Sequence, residues 1–371
     1  MKIVINALQF KRNSSGIGVM IRDLFGPFTE LTRRRCQVIL PGDAPEFPCG
    51  AGTEIVRIPA KHRQGLRRIW YQTVQLGRRY GKDSVLLVTD SKMPFFLPKS
   101  CVAVPLITDL AVYRMPEVYK ASRVLLWTLQ YRYVRRRADF FLAISRFTKA
   151  EIAELLHIAP EKIHVVPCAC PDTMRRIAEP EVLSRVKERY GLPEQYVLFV
   201  GNTNPRKNLQ RLMKAFDMAK EQGIPHRLVI AGEQGWKFDQ EEALKGLKHP
   251  EDVRFIGFVP DEDMPALYSA ASLFAFPTLY EGFGIPVLEA QACGTPVLTG
   301  SCSSLPEVAG DAAVYVDPYD EQDIRDGLLQ ALGDRRLREE LVQKGYENAK
   351  RFSWHTSAEL LNEIIERNMK A

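Results

Sequence analysis

Apolar residues fall along the chain in short unbroken runs, and most runs are followed by a stretch with helical spacing. Unbroken runs suit strands buried on both faces, and helices between them make the sheet parallel. In the first half, strands are expected at residues 3–7, 36–40, 55–58, 85–89, 102–107, 140–144 and 163–166, with helices at 19–31, 66–80, 122–137 and 147–156. A polar, proline-containing stretch at 171–180 interrupts the series, and a charged helix follows to Tyr190. The pattern then restarts. Strands are expected at 196–200, 227–231, 253–255, 273–276, 296–298 and 313–316, with helices at 209–221, 264–271 and 286–292. This predicts an α/β chain of two Rossmann-like, doubly wound domains facing across a cleft, with the ligand outside the carboxyl ends of the strands. The expected borders are 1–175 and 176–352, with a last segment at 353–371.

Composition changes this picture little. The 371 residues exceed what one core usually supports, and 46% hydrophobic with 26% charged residues is an ordinary globular balance. No run approaches the roughly 18 apolar residues of a spanning helix. Residues 1–7 resemble a strand, not a signal peptide, so a cytoplasmic protein is expected. The seven cysteines show no C-x2-C spacing, and Cys168-Ala169-Cys170 near His164 is a poor basis for a metal site. Reduced, mostly buried thiols are expected.

Charge changes it more. Residues 1–170 hold 27 Lys+Arg against 13 Asp+Glu, while the remainder holds 24 against 32. The basic half suits an anionic partner such as a membrane surface or a phosphorylated lipid, and aromatics at Trp70-Tyr71 and from Trp127 to Tyr133 accompany its arginines. Arg33-Arg34-Arg35 and Arg135-Arg136-Arg137 also fit solvated helix ends. No helix-turn-helix, zinc finger or stacking motif supports nucleic-acid binding.

Two loops carry candidate chemistry. In Gly201-Asn202-Thr203-Asn204-Pro205-Arg206-Lys207-Asn208, Gly201 permits a sharp exit from a strand, and Asn208 is placed to cap the next helix. Arg206 and Lys207 then sit at a strand end beside a helix N-terminus, a setting that suits a diphosphate. In Tyr280-Glu281-Gly282-Phe283-Gly284-Ile285-Pro286, the glycines let backbone amides approach a ligand, and Pro286 opens a helix that carries Glu289. Glu281 and Glu289 can address different parts of one ligand. The apolar neighbours of Glu289 imply a buried turn, where an unpaired carboxylate is costly.

Together these residues resemble the basic pair and E-x7-E signature of the retaining glycosyltransferases of the GT4 family, which have the GT-B fold. The likeness extends to Gly16-Ile17-Gly18, to Leu305-Pro306-Glu307 and to Phe352-Ser353-Trp354. It implies that a final helix crosses back to the N-terminal, acceptor-binding domain. It also implies that Arg206 and Lys207 hold the donor diphosphate, Glu281 the transferred sugar and Glu289 the ribose. Amides at Phe283, Gly284 and Ile285, with Gly16, Gly18, Gly201 and Gly282, complete the donor site. Same-face attack assisted by the leaving phosphate belongs to the resemblance as well.

Many relatives carry His-Asp after an N-domain strand. Here the run is Leu106-Ile107-Thr108-Asp109, and a hydroxyl cannot shuttle protons as imidazole does. Asp109 is retained and is expected near the acceptor hydroxyl. Asp261-Glu262-Asp263 resembles a metal-binding D-x-D but opens a helix, so capping is expected, with no metal and no cofactor. The stretch 281–306 resembles mannosyl- and rhamnosyl-transferring relatives, so the expected substrates are a nucleotide diphosphate sugar, with GDP-mannose chosen among them, and a glycan or lipid-linked glycan at the inner face of the membrane. The alternatives are a nucleotide-sugar epimerase on the same fold and a basic nucleic-acid-binding protein. A dehydrogenase is disfavoured, because no full G-x-G-x-x-G follows the first strand.

Overall fold

In the first half the apolar runs form β1 (Lys2–Asn6), β2 (Cys36–Leu40), β3 (Glu54–Arg57), β4 (Ser84–Val88), β5 (Val102–Ile107), β6 (Phe141–Ala143) and β7 (Ile163–Val165). They make one parallel sheet in the order β3-β2-β1-β4-β5-β6-β7. In the second half β8 (Tyr196–Val200), β9 (Arg227–Ala231), β10 (Val253–Gly257), β11 (Leu273–Phe276), β12 (Val297–Gly300) and β13 (Val314–Val316) make another. Its order is β10-β9-β8-β11-β12-β13, again all parallel. Strands such as Ser84–Val88 and Leu273–Phe276 are buried at every position, as helices on both faces require. This computed structural model describes residues 1–11, 16–59, 61, 65–89, 92–235 and 238–370.

The chain divides into two units, Met1–Cys168 with Phe352–Ala371, and Ala169–Arg351. The first unit therefore ends seven residues before the expected border at 175 and takes in the end of the chain. Helix Trp354–Lys370 packs on helix Ile17–Leu31 of that unit. Arg34 grips Glu366 through two bonds of 2.5 and 2.8 Å, and Ser357 Oγ donates to the Pro167 carbonyl at 2.7 Å.

In the second sheet β9 and β10 are added on one side of β8, and β11 returns to its other side. The carboxyl ends of β8 and β11 thus flank the point where strand order reverses, the place ligands occupy in such sheets. Backbones meet closely here. A Cβ on Gly232, after β9, would lie 2.1 Å from the Gly201 carbonyl oxygen, and the residue has a φ of 142°. Glycine at 232 is thus what lets the loop after β8 turn over the sheet edge.

Several local expectations are corrected. The helix expected over 66–80 is broken into Gly65–Trp70, a π turn at Tyr71–Gln75 and Leu76–Tyr80. Tyr71 and Tyr131, expected among interfacial aromatics, are buried at 4% and 5% exposure. Asn208 does not cap with its side chain. It sits left-handed at φ 60°, and its amide donates instead to the Pro277 and Pro318 carbonyls at 2.9 and 2.6 Å. Asp263 does not cap either, since it accepts from Arg189 and Tyr190 at 2.7 Å each. All seven cysteines are free, and burial raises the thiol pKa values of Cys168, Cys170 and Cys293.

Candidate active site

The loop leaving β8 is shaped before any ligand arrives. Asn204 accepts from the Arg206 N–H at 3.4 Å, and Pro205 opens one 3-10 turn that ends at Lys207. Asn208 then ties the turn to the loops after β11 and β13 through the two carbonyls it bonds. Lys207 is consequently drawn inward, to 9% exposure. Its ammonium lies 2.8 Å from Glu281 Oε1 and 4.7 Å from the centre of the Phe276 ring. Arg206 reaches the Tyr280 carbonyl at 3.5 Å. The basic pair after β8 and the first carboxylate after β11 therefore form one cluster.

Glu281 is itself only 6% exposed. Burial pushes its carboxyl pKa up, and the charges of Lys207 and Arg206 more than reverse this, holding it below the usual carboxylate value. It remains an acceptor across the physiological range. Gly282, Phe283 and Gly284 follow, all buried, and Gly284 adopts φ 108° at the N-terminus of helix Ile285–Ala292. That eight-residue helix begins directly after the Glu281 loop, and the N-terminal end of a helix dipole favours an anion.

Glu289 lies on the same helix in a different environment. Its carboxylate accepts from the Tyr268 hydroxyl at 2.8 Å. Burial pushes its pKa up to about 7, Asp261 adds to the rise, and the Tyr268 bond and Lys207 oppose it. The two carboxylates are thus set apart electrically, one firmly ionised and one poised near neutrality.

Sequence spacing missed the residues that hold this loop. Ser303, left-handed at φ 55°, accepts the Glu281 N–H at 3.1 Å. Ser304 Oγ lies 2.9 Å from the Glu281 carbonyl and 2.7 Å from that of Phe283. These serines directly precede Leu305-Pro306-Glu307, and only their proximity in sequence to that motif hinted at them. Tyr268 was equally hidden within an ordinary helix. Replacing Ser304 with alanine leaves two carbonyls without its hydroxyl. We expect a stability loss of about 1–3 kcal/mol and a kcat fall exceeding the change in donor KM. Steady-state kinetics with a melting curve checks this, and an unchanged kcat would remove Ser304 from the site.

The N-terminal candidates lie in the other unit. Gly16, at φ 28°, and Gly18 flank the start of helix Ile17–Leu31 after β1. Thr108 and Asp109 follow β5, both partly buried. Asp109 Oδ1 accepts the Ala111 N–H at 3.2 Å, and Tyr131 donates to the Asp109 carbonyl at 3.3 Å. Among the described residues, one group has metal-ligand proximity, His249 with Glu251 and Asp252. Asp252 is already paired with Lys220 at 3.0 Å and Arg227 at 3.2 Å.

The model of the family described as "Glycosyl transferases group 1" matches residues 184–348. O-antigen chain mannosyltransferase B from Escherichia coli is 36% identical over 264 residues, covering 70% of this chain and 69% of the relative. Serotype-specific mannosyltransferase WbdA from the same species is 33% identical over 246 residues, 63% of this chain. The match spans only 29% of WbdA's own length. Among solved structures, a sucrose-phosphate synthase from Thermosynechococcus elongatus superposes with a TM-score of 0.76 at 16% identity, covering 100% of this chain and 99% of that one. With the basic pair and both carboxylates gathered at one sheet edge, the chain belongs to the group 1 glycosyl transferases, of GT4 type and GT-B fold, and is a hexosyltransferase.

Proposed function

We propose that this enzyme moves mannose from GDP-mannose to a glycan or lipid-linked glycan, with retention and without a metal ion. The observation that carries the proposal is the buried Lys207–Glu281 pair at the reversal point of the second sheet. A diphosphate needs fixed cations, and a sugar needs a fixed acceptor for its hydroxyls; the pair supplies one of each. The mannosyl specificity draws support from the names of the relatives sharing 33–36% identity.

In this mechanism Arg206 and Lys207 meet the diphosphate and take up the charge that develops as the glycosidic bond breaks. Lys207, held inward by its bond to Glu281, is already aimed before the donor arrives, so little reorganisation accompanies the step. Glu281 accepts from hydroxyls of the transferred sugar, and Glu289 accepts from the ribose. The backbone N–H groups of Phe283, Gly284 and Ile285 face the anion. The departing phosphate takes the proton of the acceptor hydroxyl, which attacks from the same face. Asp109 orients that hydroxyl from the acceptor unit.

Thermal shift against GDP, UDP, ADP and dTDP names the base, because bound ligand stabilises by mass action. GDP should raise the melting temperature selectively, and transfer from GDP-mannose should persist in chelator. Activity lost in chelator and restored by manganese would overturn the metal-free mechanism. The basic N-terminal half also supports a position at the inner face of the membrane, in contact with anionic lipid. No helix among the described residues is long and apolar enough to cross a membrane, so such contact would be peripheral.

A further inference from the structure

A carboxylate that must ionise among apolar neighbours needs a donor that is itself fixed in place and neutral. Tyr268 meets both conditions beside Glu289. It lies in helix Met264–Ser269, is fully buried, and sets its ring edge-on to Phe274 of β11 at 5.4 Å and 71°. The backbone around it is pinned as well. Tyr196 of β8 donates to the Leu267 carbonyl at 2.6 Å, and Thr295 Oγ1 donates to the Tyr268 carbonyl at 2.7 Å. With ring and backbone both held, the hydroxyl has a fixed place, from which it donates to Glu289 Oε2 at 2.8 Å. Glu289 keeps partial exposure, so a ligand can approach its side chain.

The groups around this carboxylate pull on its proton in both directions. Burial and Asp261 favour the neutral acid, while the Tyr268 bond and Lys207 favour the anion. The Cys170 and Cys293 thiols face it too. Burial raises both, Cys170 to about 12, so they stay protonated. Burial and the Glu289 charge likewise hold the Tyr268 hydroxyl protonated well above its ordinary 10. Tyr268 thus remains a neutral donor to the anion across the working pH range.

We propose that Tyr268 is a positioning residue for donor binding: its buried hydroxyl fixes one oxygen of the Glu289 carboxylate, and that bond sets the pH above which the donor binds tightly. The inference rests on the assignment of Glu289 to the ribose made above. Tyr268 acts through Glu289 and does not touch the donor. Tyr268→Phe keeps the ring against Phe274 and removes only the bond that favours the anion. Burial and Asp261 are then opposed by Lys207 alone, and the carboxyl holds its proton to higher pH.

The test is calorimetric titration of the full chain with GDP-mannose from pH 5 to 9. Variant and wild type are compared at each pH, so that any ionisation of the ligand cancels. For a bond to a charged group, the pH at which half the affinity gain is reached should rise by about 1–2 in Tyr268→Phe. That variant should bind roughly 3–25-fold more weakly than the wild type at pH 7 and within about twofold of it at pH 9. In a Glu289→Gln background the same substitution should change affinity by less than about twofold at every pH. A loss of equal size at all pH values shows a packing role only and overturns the proposal, as does an unchanged affinity. A further tenfold loss on top of Glu289→Gln also overturns it, because Tyr268 then acts on the donor without Glu289. The assignment beneath it fails differently. Wild-type affinity that is flat with pH and unmoved by Glu289→Gln, or no binding of GDP-mannose at all, overturns that reading and the proposal together.

Discussion

Lys207→Met should cost this enzyme both its rate and its fold, with a pH dependence of reversed sign. The lysine is the nearest charge to Glu281 and bonds it at 2.8 Å with both groups buried. Removing one partner of a buried pair typically costs about 3–5 kcal/mol, because the other charge stays in place without compensation. Loss of the cation proposed to meet the diphosphate should lower kcat by roughly 10²–10³ on top of that. In the wild type the Glu281 pKa lies below its unfolded value, so its contribution to stability is present above that value and is lost as pH falls. Without Lys207 burial dominates and the carboxyl pKa rises above its unfolded value. The variant should then lose stability as pH increases toward neutrality. Melting curves from pH 5 to 8 distinguish the two, since the variant should soften across that window by more than the wild type, in which the Glu289 contribution alone is lost. The double variant Lys207→Met/Glu281→Gln should regain much of the stability and none of the activity. Recovery of transfer in the double variant would show that the pair is structural only.

Glu289→Gln is expected to stabilise the protein at pH 8 and impair it as a donor-binding site. The wild-type carboxyl titrates at about 7, well above its ordinary 4.5. Its stabilising contribution is full below the unfolded pKa and disappears as pH rises through 7. Glutamine keeps the Tyr268 bond and carries no charge to desolvate, so the melting temperature of the variant should exceed that of the wild type increasingly from pH 5 to 7 and stay above it at pH 8. Donor affinity should move the opposite way. Hydrogen bonds to a charged acceptor contribute about 1.5–3 kcal/mol, so GDP-mannose should bind roughly 10–100-fold more weakly to the variant at pH 8. In the wild type its affinity should grow as pH passes 7 and Glu289 ionises. GDP-mannose suits this titration because its esterified phosphates lack the ionisation near pH 6 of a terminal phosphate. Calorimetric titration at pH 6, 7 and 8 measures the effect, and affinity flat with pH would place the ribose elsewhere.

How far the sequence anticipated this depends on the scale of the feature. The sheets were legible because a parallel strand buried on both faces leaves an unmistakable record, as in Tyr196–Val200 and Leu273–Phe276. Arg206, Lys207, Glu281 and Glu289 were legible because strand ends, glycines and a helix-opening proline bracket them. The clamp around them was not. Ser303, Ser304 and Asn208 bond backbone carbonyls or N–H groups of distant loops, and a side chain that serves another segment's backbone leaves no periodic trace in its own. Asn208 shows the difficulty well. An asparagine before a helix reads as a cap, yet a left-handed backbone turns its amide toward β11 and β13. Helices Glu321–Gly333 and Arg335–Ala349 were passed over because charge crowds their exposed faces, although Ile324, Leu328, Ala331 and Leu332 keep helical spacing. The π turn at Tyr71–Gln75 has no signature in residue type at all.

Helix Trp354–Lys370, which completes the first unit, has a consequence for how the protein is made. A ribosome delivers residues in order, and domains commonly fold as they emerge. Ala169–Arg351 is one uninterrupted stretch and is complete as soon as it clears the exit tunnel. The unit begun at Met1 must wait until residues 352–371 appear, and meanwhile the face of helix Ile17–Leu31 that the last helix covers is open to water. The half translated second is therefore the one able to finish first.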